Sequence, residues 1–250
     1  DGTLLSNGNV FLINPNGILI GPNGLIDVGG FVASTLDVVN EDFLKGKEFF
    51  FSGPSRLGVI NHGEIKTAYG PITLIGRCIV NKGKMQGPVL IGAGEEVLLK
   101  LGSDPNILVS TTHPPSKVQD QLKKGASPFQ YGIDQAGTID ALSFSTENGQ
   151  VTLKTTDNIT ISGEIFGHTE MDANQIEVLG NIQAPSEKIH LSSKTLTFVS
   201  TDANLSVQGK QDQAGGSIYL SSEGITQFLG KANLQGGPLG GVGGSITLFG

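Results

Sequence analysis

The sequence predicts an all-β chain, a parallel β-helix with coils of ~20 residues. Three observations carry this. Apolar residues come in short β-branched runs, too short for helices, each closed by Gly, Asn or Pro. Two brief patterns recur along most of the chain. The interval from Asn61 to Asn81, over which one of them repeats, is 20 residues.

The first elements lie in Asn9–Leu44. Three runs, Val10–Ile13, Ile18–Ile20 and Leu25–Val28, are closed by Asn14-Pro15-Asn16-Gly17, by Pro22-Asn23-Gly24 and by Gly29-Gly30. Pro fixes φ ahead of a tight turn and Asn-Gly supplies positive-φ positions, so the stretch reads as strand, turn, strand, turn, strand. Phe43–Phe51 follows. Three consecutive Phe (Phe49, Phe50, Phe51) cannot all face one core from a strand, so at least one should cover an end or a neighbouring loop.

The repeats come next. Gly-x-Ile, often with Asn or Gln two residues earlier, stands at Asn61–Ile65, Asn81–Met85, Gln135–Ile139, Gly163–Ile165 and Gly180–Ile182. Gly-x-Ile/Val-x-Leu stands at Gly70–Leu74, Gly149–Leu153, Gly216–Leu220 and Gly244–Leu248. A period this short does not fit a propeller blade, and the leucine-rich, TPR and ankyrin consensus residues are missing. In a β-helix each short strand pairs with its copy one coil on. Alternation puts Ile72, Leu74, Ile218 and Leu220 inside and Thr73 and Tyr219 outside. The repeats suggest ten to twelve coils, a rod ~50–60 Å long. Asn at recurring turns can stack into a hydrogen-bonded amide ladder. The Gly236–Gly244 tail reads as repeat turns, since it ends in a clean alternating strand, Ser245–Phe249.

One interruption breaks the pattern. Pro105, Pro114, Pro115 and Pro128 exclude a central strand over residues 103–134, which read as an excursion off the rod. Ile107–Val109 could pair at its edge and Val118–Lys124 could form two helical turns. The expected division is therefore a β-helix core over 1–102, an extra-helical excursion over 103–134, and continuing coils over 135–250.

Composition excludes several function classes. The chain has 250 residues, 37 Gly and a net charge of −7. Phosphate binding needs a basic face, so nucleic acid is not an expected partner. No apolar run approaches the ~20 residues of a membrane-spanning helix. Cys78 is the single cysteine, so no internal disulfide forms, and no His is recognisably paired with it as a base. His62, His113, His168 and His190 lack ligand spacing, so no metal is expected. Asp37, Glu41 and Asp42 cluster and Glu95-Glu96 are adjacent, but adjacent strand residues face opposite ways. There is no P-loop, dinucleotide fingerprint or Ca²⁺-binding Gly-Asp repeat, so no cofactor and no catalytic residue is assigned.

Residues 7–44 resemble the secretion domain of two-partner secretion exoproteins of the filamentous haemagglutinin type. The family motif Asn-Pro-Asn-Gly-Ile stands as Asn14, Pro15, Asn16, Gly17 and Ile18. Asn7–Ile13, Val28–Leu36 and Asp42-Phe43-Leu44 also match its wording. The match is specific over 7–101, generic over 135–250 and absent over 103–133. The family's second motif, Asn-Pro-Asn-Leu, does not occur in the chain, which reads as a piece of a longer protein that begins after it.

The resemblance implies a right-handed parallel β-helix that is not an enzyme. It implies export through the periplasm and recognition of Asn14–Ile18 by an outer-membrane β-barrel transporter. Folding then occurs at the bacterial cell surface, as part of an adhesin or haemagglutinin, or as a secreted protein. Host-cell or glycan surfaces are the partners it implies for a downstream passenger. Two other readings stay open on the residues alone. One is a β-helical polysaccharide lyase or hydrolase, which would need carboxylates converging on one face. The other is an autotransported passenger, loosely suggested by Gly215-Gly216-Ser217-Ile218 and Gly243-Gly244-Ser245-Ile246.

Overall fold

The computed structural model describes residues 1–38, 48–102, 105–110, 132–142 and 149–250, and among these every regular element is a strand. Residues Glu41–Leu44, His113 and Val118–Lys124, singled out above, lie outside the described residues.

The chain winds as a parallel β-helix with three faces. The first face is a nine-stranded sheet whose strands stack in chain order, from Thr3–Leu5 to Lys231–Asn233. Its central residues form one inward column in register: Leu4, Ile26, Ile65, Met85, Ile139, Ile165, Ile182, Leu205 and Ala232. The second face begins with Asn9–Ile13, Gly30–Ser34, Ile72–Gly76 and Val89–Ala93, and ends with Ser245–Phe249. The third face begins with Ile18–Ile20, Val59–Asn61, Cys78–Asn81 and Gly132–Gln135. Late in the chain His168–Val178 and Lys188–Val199 each run through the corner from second to third face, with a register shift between Ala173 and Gln175.

Nine first-face strands mean nine described coils, fewer than the ten to twelve expected, and a stack ~40 Å long.

Two features explain why these residues form these coils. The recurring Asn/Gln is a buried ladder. Asn61 Nδ2 donates to Asn81 Oδ1 at 2.8 Å, and Asn81 Nδ2 donates to Gln135 Oε1 at 2.8 Å. Gln135 Nε2 donates in turn to the Gly137 carbonyl at 2.9 Å. The recurring Gly marks the corner that follows. A Cβ on Gly83, Gly137, Gly163 or Gly180 would strike the carbonyl oxygen of Gly63, Gly83, Gly137 or Gly163 respectively, one coil below. Those same carbonyls accept the N–H that starts the next first-face strand, from Lys84, Thr138, Glu164 and Asn181. The pattern Asn-x-Gly-x-Ile is thus one amide rung, one corner with no room for a side chain, and one inward residue. The Gly-rich tail is stacked in the same way: Gly209, Gly237 and Leu239 donate backbone bonds to Gln235, Gln213 and Gln211.

The extra-helical part differs from the expected excursion. Four antiparallel strands leave the rod: Asp37–Val38, Glu48–Ser52, Glu96–Lys100 and Asn106–Ser110. They come from two insertions, so most of this flap lies inside the 1–102 span read as core. Coil stacking resumes at Gly132, against Cys78, within the 103–134 span. Ile107–Val109 does pair at an edge, with Val97–Leu99.

The flap covers the second face. Phe49 and Phe51 point inward with Val97, Leu99 and Ile107 onto Val32, Ile75 and Leu90, forming a second core outside the rod. Phe50, 37% exposed, points the other way, as the alternation requires. Thr73 also faces outward as expected, yet it is fully buried, because its register neighbours Val32 and Leu90 lie beneath the flap. The flap explains why VLIGA, and ITLIG apart from Thr73, are apolar on both sides: both faces of those strands are dry.

Candidate functional site

Asn14–Ile18 forms the corner between the second and third faces of the first coil. Asn14 occupies the first, Pro15 the second and Gly17 the fourth position of a turn closed by Gly17 N–H to Asn14 C=O at 3.1 Å. Those are the preferred residues of a type I turn. Asn14 Oδ1 also accepts the Asn16 N–H at 3.0 Å, a side-chain turn inside the backbone one. Gly17 sits at φ 92°, a conformation that other L residues rarely adopt, and this turns the chain into Ile18. Ile18 is buried among the core residues, whereas Asn14, Pro15 and Asn16 are exposed.

The rest of the corner is built from later chain. Asn14 N–H donates to Ser34 C=O at 2.9 Å and Ile18 N–H to Gly58 C=O at 3.2 Å. Ser55 Oγ donates to Pro15 C=O at 2.7 Å and accepts from Leu57 N–H at 3.2 Å. Leu57 packs against Gly17, and its carbonyl accepts from Thr35 Oγ1 at 2.9 Å. Residues 53–58 are the segment that returns from the flap to the third face. Sequence reading missed Ser55, Leu57 and Gly58. Nothing in their local pattern marks them, since the contact arises from one coil stacking on another.

A second turn tests how special this geometry is. Gly21-Pro22-Asn23-Gly24 is closed by Gly24 N–H to Gly21 C=O at 2.8 Å, at the next corner of the same coil. Gly24 does not adopt positive φ there, so only the first of the two Asn-Gly pairs uses that freedom.

The other candidates are not brought together. Cys78 is half-buried and its thiol pKa is raised, first by burial and then by Asp134, which keeps it protonated and inert. His168 Nδ1 lies 3.5 Å from a Glu187 carboxylate oxygen, and His190 meets Tyr219 edge-on at 4.8 Å between ring centres. Glu95 pairs with Arg77 at 2.7 Å, while Glu96 starts the flap strand. Asp157 is pushed up to about 6 by burial and then by the Glu95 charge. Among the described residues no group of three His, Cys, Asp or Glu is placed to hold a metal ion.

Comparison with known proteins agrees with this fold. The family model described as the TPS secretion domain matches residues 1–138, more than half of the chain. Among solved structures, the chain is similar to the HMW1 secretion domain from Haemophilus influenzae, with a TM-score of 0.52 at 21% identity. That alignment covers 99% of this chain and 78% of the other, and at this identity it speaks to the fold. No curated protein sequence matches. The chain therefore belongs to the TPS secretion-domain family: it is the secretion-targeting domain of a two-partner secretion exoprotein, exported with a transporter partner, and not an enzyme.

Proposed function

We propose that Asn14, Pro15, Asn16, Gly17 and Ile18 are the address by which the outer-membrane β-barrel transporter selects this chain. In this reading the protein crosses the periplasm, folds at the bacterial cell surface, and nucleates the rod of an adhesin or haemagglutinin-like passenger. Host-cell or glycan binding then belongs to the passenger, and the coils of 135–250 lead toward it.

One observation carries the address reading. The turn has a backbone fixed by its own bonds, and it carries two exposed carboxamides, Asn14, whose Oδ1 accepts the Asn16 N–H, and Asn16. A carboxamide offers two donors and an acceptor, enough for specific readout without charge.

The test is secretion. The natural N-terminal region plus this chain is fused to a signal peptide and expressed with and without its transporter. Asn14→Ala/Asn16→Ala should lower transporter-dependent release by on the order of tenfold, the equivalent of one or two lost hydrogen bonds. Asn23→Ala, in the sister turn, should leave release unchanged. Equal release of all three proteins removes the address from this element.

A further inference from the structure

We propose that the glycine corner between the third and first faces is a binding groove for a straight, uncharged glycan of the β-1,4-linked kind. The groove is the open side of the stacking already described. Gly24, Gly63, Gly83, Gly137 and Gly163 stand at this corner in five successive coils, so no side chain fills the line that they trace. That line is ~19 Å long, four steps of ~4.8 Å. The groove above it encloses about 720 Å³, a volume in the range of small-ligand sites. It lies on a different corner from Asn14–Ile18 and does not depend on the role of that element.

What the floor offers decides the class of ligand. All five glycine N–H groups are engaged within the chain. Gly24 donates to the Gly21 carbonyl and Gly63 to Asn61 Oδ1, while Gly83, Gly137 and Gly163 donate to the carbonyls of Asn61, Asn81 and Gln135. All five glycine carbonyls accept the N–H that starts the next first-face strand. A peptide added as a strand would therefore find no free main-chain donor to pair with. The floor is a flat strip of CH₂ groups and peptide planes.

Recognition falls to the rims. His62 and Lys82 line one side, and Glu64, Lys84 and Glu164 line the other. The two Lys balance the two Glu, so the lining favours a ligand without net charge. Glu64 is held by Lys66 at 3.2 Å and by Lys84 at 3.9 Å. The side chains of Lys82 and Glu164 have no protein partner among the described residues. One free ammonium and one free carboxylate thus stand on opposite rims, two coils apart, and a charged group makes a strong hydrogen bond to a hydroxyl. A β-1,4-linked glycan with equatorial hydroxyls matches both floor and rims. It is a straight ribbon with C–H bonds on its faces and hydroxyls along its edges. The face rests on the glycines and the edges reach the rims. One sugar advances the ribbon by close to one coil spacing, so successive sugars meet the same floor, and the groove takes about four of them. This is a glycan site of the secretion domain's own, in addition to the binding assigned to the passenger.

The experiment is calorimetric titration of the purified chain with three hexasaccharides: cellohexaose, chitohexaose and maltohexaose. The first two are straight and distinguish a glucan from an N-acetylglucosamine polymer as the source of the ligand. Maltohexaose has the same sugar as cellohexaose but curves away from a straight groove. At least one straight probe should bind saturably, about tenfold or more tighter than maltohexaose. Lys82→Ala/Glu164→Ala should weaken that binding by about tenfold, the equivalent of one or two lost hydrogen bonds, with an unchanged circular dichroism spectrum. Ala136→Trp, an exposed position on the groove's edge, should block binding by overhanging the floor, and it scores the same site should the double variant lose its β signal. No saturable binding of either straight hexasaccharide overturns the proposal. Binding of maltohexaose as tight as that of the straight probes also overturns it, as does binding that neither variant weakens.

Discussion

Asn61, Asn81 and Gln135 are fully buried carboxamides in a column that is aliphatic on either side, with Ile20 below and Ile161 and Val178 above. Each is tolerable because the next completes it; a buried amide without a partner costs about 1–3 kcal/mol. Asn81→Leu should therefore destabilise the chain by ~2–4 kcal/mol in urea unfolding, because it strands Asn61 and Gln135 at once. Replacing all three by aliphatic residues should cost less than the three single changes summed, since no carboxamide is left unpaired and only the Gly63 N–H, which donates to Asn61 Oδ1 at 3.1 Å, loses its acceptor. Single and triple costs that simply add would contradict the ladder. Asp157 makes a second residue-scale case. Its raised pKa means that the folded chain holds this proton at a pH where the unfolded chain has lost it. Its contribution is full below about 4 and is lost as pH rises through about 6. Asp157→Asn should thus gain stability over wild type at about pH 7.5 relative to about pH 4, by on the order of 1 kcal/mol after allowance for solvent exposure. Parallel stability profiles of the two proteins would show that burial and Glu95 do not act on this group.

The flap is the element whose energetics are least like a plain rod. Phe51 is 0% exposed beneath it and Phe50, its neighbour, is 37% exposed above it. Phe51→Ala should cost ~3–5 kcal/mol and Phe50→Ala within ~1 kcal/mol, read as urea midpoints at constant slope. Similar costs would mean that the flap is not packed on the second face. This element also marks where sequence reading stops. The Phe run did say that its members could not share a face, and Ile107–Val109 did read as an edge pair. Pairing Glu48–Ser52 with Glu96–Lys100 was not legible, because antiparallel partners separated by two coils leave no local signature. What was legible were contacts that repeat. The Asn61–Asn81 rung and the Gly63–Gly83 corner are each read from one coil and confirmed by the next. The motif's own turn was legible from Asn14, Pro15 and Gly17, whereas its contacts with Ser55, Leu57 and Gly58 depend on stacking alone.

At the scale of the whole molecule, each coil is held mainly by the coil before it, through the first-face column, the amide rungs and the glycine corners. Such a chain can fold by propagation, one coil upon the last. The rod's stability and the proposed address are then separable, because Asn14–Asn16 is an exposed turn at the first coil and the stability lies in the stacked interior. Asn16 makes the separation measurable: its side chain is exposed, and the local turn uses only its backbone N–H. The decisive measurement pairs the melting temperature of the purified Asn16→Ala chain with its transporter-dependent release. The account predicts a melting temperature within about 2 °C of wild type, as for a surface substitution of under ~0.5 kcal/mol, together with clearly reduced release. Unchanged release, or a loss of release matched by a loss of stability, would contradict it.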